Sequence, residues 1–283
     1  MYKILEVQPL NKENVRMVIE APQVAKKIQP GQFIILRIDE NGERIPLTMN
    51  EYDREAGTVT IIFQIAGATT KRLSLMKEGE YLMDFVGPLG NPTDFGDAKH
   101  VLVIGGGLGT AIAYSQAKWL YDHGYETDVI IGFRNKDLII LEDEVLAHST
   151  RCTVMTDDGS NGNEGNVCVP LNKMLEEGQR WDLIVVIGPP IMMKFACMAT
   201  KPYGIKTLVS MNPIMIDGTG MCGGCRVKVG GEYKHACIDG PDFDGHLVDF
   251  SSVMDRSVQF RQFETQALNN YRRMHPQATM RQA

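Results

Sequence analysis

Short runs of β-branched, aromatic and aliphatic residues, closed by Gly, Pro or Asn, fill the first hundred residues: GQFIILRID, GTVTIIFQIAG and EYLMDFVGPLG. Several such runs at close spacing predict strands of a small antiparallel barrel. The segment TTKRLSLMKEG interrupts them with helical spacing and ends at Gly79, a suitable C-cap. Near Gly96–Lys99 the pattern changes. HVLVIGGGLG is a continuous apolar run entering glycines, followed by the helical stretch TAIAYSQAKWLYDHG; ETDVIIGFR, RCTVMTDDGS and RWDLIVVIGPP are further strands. Nearly all-apolar strands alternating with helices predict a parallel sheet covered on both faces. A cysteine-bearing loop then leads into the hairpin CRVKVGGEYKHAC, whose turn suits Gly230-Gly231. In the last stretch Val253, Phe260, Phe263, Ala267 and Tyr271 are spaced for one helix face, which predicts a tail packed on its own domain, with a partner-docking surface as the alternative. The expected division is 1–97 barrel, 98–212 α/β domain, 213–240 loop and hairpin, and 241–283 helical tail.

Composition narrows the classes. The chain has 283 residues, 43% hydrophobic and 23% charged, with a net charge of -6. That balance excludes a general nucleic-acid binder, which carries a basic face. No apolar run reaches bilayer length, and MYKILEVQPL lacks the parts of a signal peptide, so a cytoplasmic protein without a membrane partner is expected. Six cysteines in such a chain are expected to be reduced or metal-bound. Cys152, Cys168 and Cys197 lie among apolar neighbours and read as core; Cys222, Cys225 and Cys237 are clustered. The six histidines form no metal-like pair.

Three glycine- or hydroxyl-bearing segments suggest chemistry. In VIGGGLGTA a strand runs into Gly105, Gly106, Gly107 and Gly109 and then a helix, which lets backbone N–H groups approach a pyrophosphate. Thr110 occupies the last glycine position of the dinucleotide fingerprint, and a tight strand-to-helix turn explains the loop as well. RIPLT ends a strand with Arg44, Pro46 and Thr48, and GATT opens a helix with Gly67 and Thr70. Each of these two is also an ordinary turn, and neither alone names a cofactor.

Taken in order, the segments resemble the ferredoxin-reductase-type flavoproteins, in which a FAD-binding barrel precedes a nicotinamide-binding α/β domain. In that family R-x-[YP]-x-[ST] meets the flavin and its phosphate, matched by Arg44, Pro46, Leu47 and Thr48. G-x-x-[ST] holds the pyrophosphate, matched by Gly67 and Thr70. The G-G-G-x-G loop that binds the nicotinamide dinucleotide corresponds to Gly105–Gly109. GPPIMM resembles the segment near the nicotinamide, which implicates Gly188, Pro189 and Met192, with Ile187 where many relatives carry Cys. TDDGSNGNEGNV is a polar turn that also resembles a segment near the nucleotide, which makes Asp157 and Asp158 candidates. LEDEV either disfavours a 2′-phosphate or is an acidic helix start.

The remaining loop has the spacing Asp217-x4-Cys222-x2-Cys225-x11-Cys237. Plant-type [2Fe–2S] sites use C-x4-C-x2-C…C, so Asp217 stands where the first cysteine would be. A carboxylate is a hard anionic donor and completes four ligands. Zinc is the competing reading, because Cys-x2-Cys is a common half-site for it, but zinc has no redox chemistry. SMNPIMIDGTGMCGGCRVKV and CIDGPDFDGHLVDF further resemble the small subunits of NADH-dependent reduced ferredoxin:NADP+ oxidoreductases, an electron-bifurcating family related to dihydroorotate dehydrogenase electron-transfer subunits. The dihydroorotate dehydrogenase subunits would carry Cys at position 217. The resemblance implies FAD, NAD(H) and an Asp-plus-three-Cys [2Fe–2S] cluster. It implies Thr48 near the flavin's reactive edge and Arg44 and Thr70 on phosphate. It also implies a heterodimer with a large flavin/iron–sulfur subunit that serves ferredoxin and NADP(H). An electron-transfer subunit for another partner and a zinc-stabilised regulatory module are the alternatives.

Overall fold

The computed structural model describes residues 1–275. The first seven strands are β1 (Tyr2–Pro9), β2 (Asn14–Glu20), β3 (Phe33–Arg37), β4 (Ile45–Asp53), β5 (Thr58–Gln64), β6 (Tyr81–Leu82) and β7 (Asp84–Leu89). They form one antiparallel sheet in the order β6-β1-β2-β5-β4-β3-β7. Its two edges, β6 and β7, are consecutive in the chain, so the sheet curls into a nearly closed barrel. Two short helices, α1 (Pro22–Ala25) and α2 (Ala68–Leu73), interrupt it. Period-two alternation fills the interior, with Ile4, Met17, Ile19, Ile34, Leu36, Ile61, Phe63 and Phe85 all buried.

The second sheet contains β8 (His100–Gly106), β9 (Glu126–Phe133), β10 (Arg151–Thr156), β11 (Leu183–Ile187) and β12 (Thr207–Ser210). These five are parallel, in the order β10-β9-β8-β11-β12. α3 (Gly109–Asp122) and α4 (Glu142–Ala147) cover one face; α5 (Cys168–Glu176) and α6 (Pro190–Thr200) cover the other. Alternation again decides the packing: Val101, Val103 and Val185 meet α3, while Leu102, Ile104 and Val186 meet α5 and α6. The chain leaves β8 towards β9 on one side and returns to β11 on the other, so the sheet's crevice opens at its C-terminal edge between them.

A hairpin of β13 (Arg226–Val229) and β14 (Glu232–His235) follows, with Gly230 and Gly231 at φ of 59° and 89°, as its turn requires. The expected helical tail opens instead with a strand, β15 (Asp242–Asp244), which pairs antiparallel with β12 at the edge of the large sheet. The tail's apolar spacing runs over two helices, α7 (Phe250–Ser257) and α8 (Arg261–Met274), broken at Val258–Phe260. α7 buries Phe250 against α6 and β13, whereas α8 reaches the barrel helix α2 and leaves Phe263 and Met274 exposed. The tail's last residues, 276–283, lie outside the described residues. Among the described residues, no helix is long and apolar enough to cross a membrane.

At the N-terminal edge of the large sheet, Oδ2 of buried Asp128 accepts from Arg151 (2.6 Å), Trp181 Nε1 (2.8 Å) and His100 Nε2 (2.9 Å). Burial alone raises this carboxyl's pKa, but the three donors outweigh it and hold the group below the usual carboxylate range. A depressed folded-state pKa contributes stability above the unfolded value of about 4, and the contribution is lost as pH falls through the folded value. Asp128→Ala, which strands the indole N–H and the guanidinium, is expected to cost about 3 kcal/mol at pH 7. Urea unfolding checks this; the gap between wild type and variant should narrow only below about pH 4.

Candidate functional site

A cavity of about 600 Å³ opens where the barrel meets the C-terminal edge of the large sheet. β3 and β4 pair Phe33 with Thr48 and Ile35 with Pro46. Alternation along β4 therefore puts Pro46 and Thr48 on the cavity side and turns Leu47 into the barrel core. Across the cavity stand Gly106, Gly107 and Gly109 at the end of β8, with Gly188, Pro189 and Met192 between β11 and α6. Asp157, after β10, lines the same wall. Asp158 instead closes a turn, its Oδ1 accepting from Ser160 N at 3.0 Å.

The glycines serve different physical ends. A Cβ on Gly109 would sit 2.3 Å from Ile187 O, and one on Gly106 would sit 2.2 Å from Met192 Sδ. Gly105, which does not line the cavity, lets β8 approach α3 at Ala113. Gly107 has φ of 56° and open space where a side chain would be. The result is a backbone cradle facing the cavity, at the start of a helix, which fits a dinucleotide pyrophosphate. Thr110 at the fingerprint's last position is fully buried, and its hydroxyl has no hydrogen-bond partner. Asn14, on the barrel wall, likewise keeps a buried Oδ1 without a partner.

Arg44, Gly67 and Thr70 are brought near one another, away from the cavity lining, by a hydrogen bond from Thr69 to Glu43. Thr70 Oγ1 accepts from the backbone N–H groups of Ala66 (2.9 Å) and Gly67 (3.0 Å), capping α2. Arg44 lies 3.9 Å from Asp84, whose closer partner is Arg37. Glu142, Asp143 and Glu144 form the first turn of α4 and do not line the cavity, so the acidic run acts there as a helix start. Residues that sequence reading missed include Glu13, Asn14 and Gln64 from the barrel and Arg134, Ser210 and Asn212 from the sheet. For Arg134 and Asn212 the one legible signal was position just past a strand, as in GFRN and VSMN; the others carried none.

The cysteine loop lies against the outer face of the barrel. A Cβ on Gly218 would be 2.7 Å from Leu89 Cδ1 and 3.0 Å from Ile35 Cδ1, so the loop backbone touches the barrel wall directly. Cys225 and Cys237 are buried with sulfurs 3.2 Å apart. Cys222 is exposed, and its sulfur accepts from Gly224 N–H at 3.5 Å. Asp217 accepts from the N–H groups of Thr219 and Cys222, both at 2.8 Å, and these hold its carboxyl below the usual range. Among the described residues, no three His, Cys, Asp or Glu side chains converge in a metal-holding geometry. The donor set nevertheless fits an iron–sulfur centre: three thiols and a carboxylate on one loop and hairpin, two sulfurs already adjacent, and an N–H directed at a third. Burial pushes the Cys237 thiol well above the usual range, so a metal would replace a proton there.

Comparison with known proteins bears on both halves of the site. Residues 212–249 match the iron–sulfur cluster binding domain of dihydroorotate dehydrogenase B. An uncharacterized protein from the adh 3′ region of Clostridium beijerinckii is 49% identical over 94% of this chain and 93% of that one. The dihydroorotate dehydrogenase B (NAD(+)) electron transfer subunit homolog of Thermotoga maritima is 44% identical over 87% of this chain and 86% of its own. The structure of an NADH-dependent reduced ferredoxin-NADP oxidoreductase, solved for insight into flavin-based electron bifurcation, contains a similar chain. It superposes with a TM-score of 0.90 at 37% identity, covering 96% of this chain and 98% of that one.

The glycine geometry makes a prediction about stability alone. Gly109→Ala forces a methyl into a backbone carbonyl and should cost about 3 kcal/mol. Gly107→Ala meets only left-handed strain, about 1 kcal/mol. Thermal unfolding of the two variants should rank them in that order; equal losses would refute the division of labour within the loop.

Proposed function

Because this chain belongs to the family of dihydroorotate dehydrogenase B electron-transfer subunits and their homologues, we propose that it passes electrons between NAD(H), FAD and a [2Fe–2S] cluster to a larger flavin/iron–sulfur subunit. It is a flavin-dependent oxidoreductase subunit with a ferredoxin-reductase-like fold. The observation that carries the reading is the single cavity shared by Thr48 and Pro46 on the barrel side and the Gly106–Gly109 cradle on the other. FAD held there would supply hydride exchange with a nicotinamide and one-electron exchange with an iron–sulfur centre.

The chain's own residues bind, orient and exclude water. Thr48 presents a hydroxyl at the flavin's reactive edge, and Pro46 and Leu47 fix the strand that carries it. Arg44, Gly67 and Thr70 hold the FAD phosphates on the barrel. Gly106, Gly107 and Gly109 admit the dinucleotide pyrophosphate, with Gly105 letting β8 pack against α3 behind them, while Gly188, Pro189, Met192 and Asp157 line its nicotinamide and ribose. Asp217, Cys222, Cys225 and Cys237 hold the cluster. On this reading residues 1–97 are the FAD module, 98–212 the NAD module and 213–240 the cluster lobe, with 241–283 following.

In its finer form, the partner serves ferredoxin and NADP(H) in bifurcating transhydrogenation in the cytoplasm, a reading supported by likeness to a chain of the ferredoxin-NADP oxidoreductase. A dihydroorotate dehydrogenase partner is the second reading, favoured by the match over residues 212–249 but opposed by Asp217 in place of Cys.

Anaerobic titration of the purified chain with NADH should bleach flavin and iron–sulfur absorption together, at far lower concentration than NADPH. A colourless zinc protein without acid-labile sulfide would overturn the reading. Asp217→Cys should retain a cluster while changing its potential and electron paramagnetic resonance spectrum. If neither changes, Asp217 is not a ligand.

A further inference from the structure

Arg134 directly follows β9, the second strand of the large sheet in chain order. In doubly wound dinucleotide domains a carboxylate about 20 residues beyond the glycine turn reads a ribose 2′-hydroxyl, and an arginine nearby accommodates a 2′-phosphate. Taken alone, Arg134 is of the phosphate-accepting kind. It is not alone. Glu13, 121 residues earlier in the turn between β1 and β2, places Oε2 2.6 Å from an Arg134 guanidinium nitrogen. Gln64 Nε2 donates to the same oxygen at 2.9 Å.

The turn that carries Glu13 is held against the α/β domain. Asn11 Oδ1 accepts from the N–H groups of Glu13 and Asn14, both at 2.9 Å. Asn11 Nδ2 donates across the domain boundary to Leu138 O at 3.2 Å. Ile65 N donates to Glu13 O at 2.8 Å, so the turn is pinned from both sides. Glu13, Gln64, Arg134, Leu138 and Asp157 all line the cavity. Asp157 N donates to Phe133 O at 2.9 Å, which keeps the end of β10 beside the end of β9. Among the described residues lining the cavity, Arg134 is the one cation, opposed by two carboxylates, Glu13 and Asp157.

We infer that Glu13 is a specificity-determining residue. Reaching over from the barrel, it neutralises Arg134 and leaves that wall of the cavity net negative. A dinucleotide with a free ribose 2′-hydroxyl is admitted there, and one bearing a 2′-phosphate is turned away. The inference rests on the proposed reading of this cavity as the nicotinamide dinucleotide site, and it assigns the choice between the two dinucleotides to a residue outside the nucleotide-binding domain.

Equilibrium binding of NAD+ and NADP+ to the cofactor-loaded chain, measured by calorimetry, tests it without recourse to turnover. Glu13→Gln keeps the side chain's shape and an amide oxygen for Arg134 but removes the charge. The variant should bind NADP+ about tenfold more tightly, with NAD+ changed less than about threefold. Adding Arg134→Gln should abolish the gain, and raising ionic strength should shrink it. A purely structural ion pair would weaken or strengthen both nucleotides alike; that result or an unchanged NADP+ affinity would overturn the inference and leave the proposed function standing. A wild type that already prefers NADP+ would overturn the inference together with the NAD(H) reading it rests on. A wild type that binds neither nucleotide would overturn both.

Discussion

The site depends on a strand with two buried faces. In β3, Ile34 and Leu36 point into the barrel, while Phe33 and Ile35 point outwards and are just as buried. The outward pair joins a core made by the large sheet, through Leu102, Ile104 and Val209, and by the cysteine loop, through Met215, Cys225 and Cys237. Strands buried on both faces normally belong to parallel sheets sandwiched by helices. Here an antiparallel barrel strand has that property because three modules converge on it. Its neighbour β4 carries Pro46 and Thr48, so these cavity-lining residues lie one strand away from the loop that carries the thiols. On the proposed reading, the spacing between those two sites is set by β-sheet register, which does not slip when one face is packed.

Polar contacts fix the same junction. After β7, Asn91 donates its backbone N–H to Gly240 O at 2.7 Å and its side-chain amide to Ile238 O at 3.0 Å. Thr93 Oγ1 donates to Asp242 Oδ2 at 2.6 Å and accepts from Gln116 of α3 at 2.9 Å. Burial pushes the Asp242 carboxyl above the usual carboxylate range, against hydrogen bonds from Thr93 and Ser210 that lower it. Asn50 of β4 adds a buried bond to Ala111 O at 2.8 Å, tying the barrel to the helix that starts at the glycine cradle. Apolar contact alone is tolerant of sliding; directional bonds between barrel, helix and edge strand are not.

What the sequence made legible follows from range. The barrel strands, the parallel strands and the glycine cradle are written in local alternation and turn chemistry, as was the Gly230-Gly231 hairpin. Glu13 was not legible, because no local pattern marks it, and its pairing with Arg134 forms only when the two domains dock. Leu47 shows the same limit in the other direction: motif membership named it beside Pro46 and Thr48, but the strand's period of two sends it into the barrel core. The interruption of the tail at Val258–Phe260 escaped notice because two consecutive helices can share one apolar spacing. Asp242–Asp244 became a strand through pairing with β12, a partner supplied by the fold and absent from the segment's own composition.

The cysteine lobe depends on its neighbours for stability. Its only regular structure is a two-stranded hairpin, which is marginal in isolation. Stability therefore comes from what it touches: Ile35 and Leu89 of the barrel under Gly218, Asn91 on Ile238 and Gly240, and α7 behind it, where Arg256 donates to Gly224 O at 2.9 Å. Most of these anchors belong to the barrel and the tail, whereas the glycine cradle belongs to the large sheet. The two are joined through the shared core, where Leu102 and Ile104 of β8 pack with Met215, Cys225 and Cys237. The lobe also meets the cavity, through Met215 and through Phe33 of β3, so on the proposed reading the cluster's anchors and the dinucleotide site share one wall.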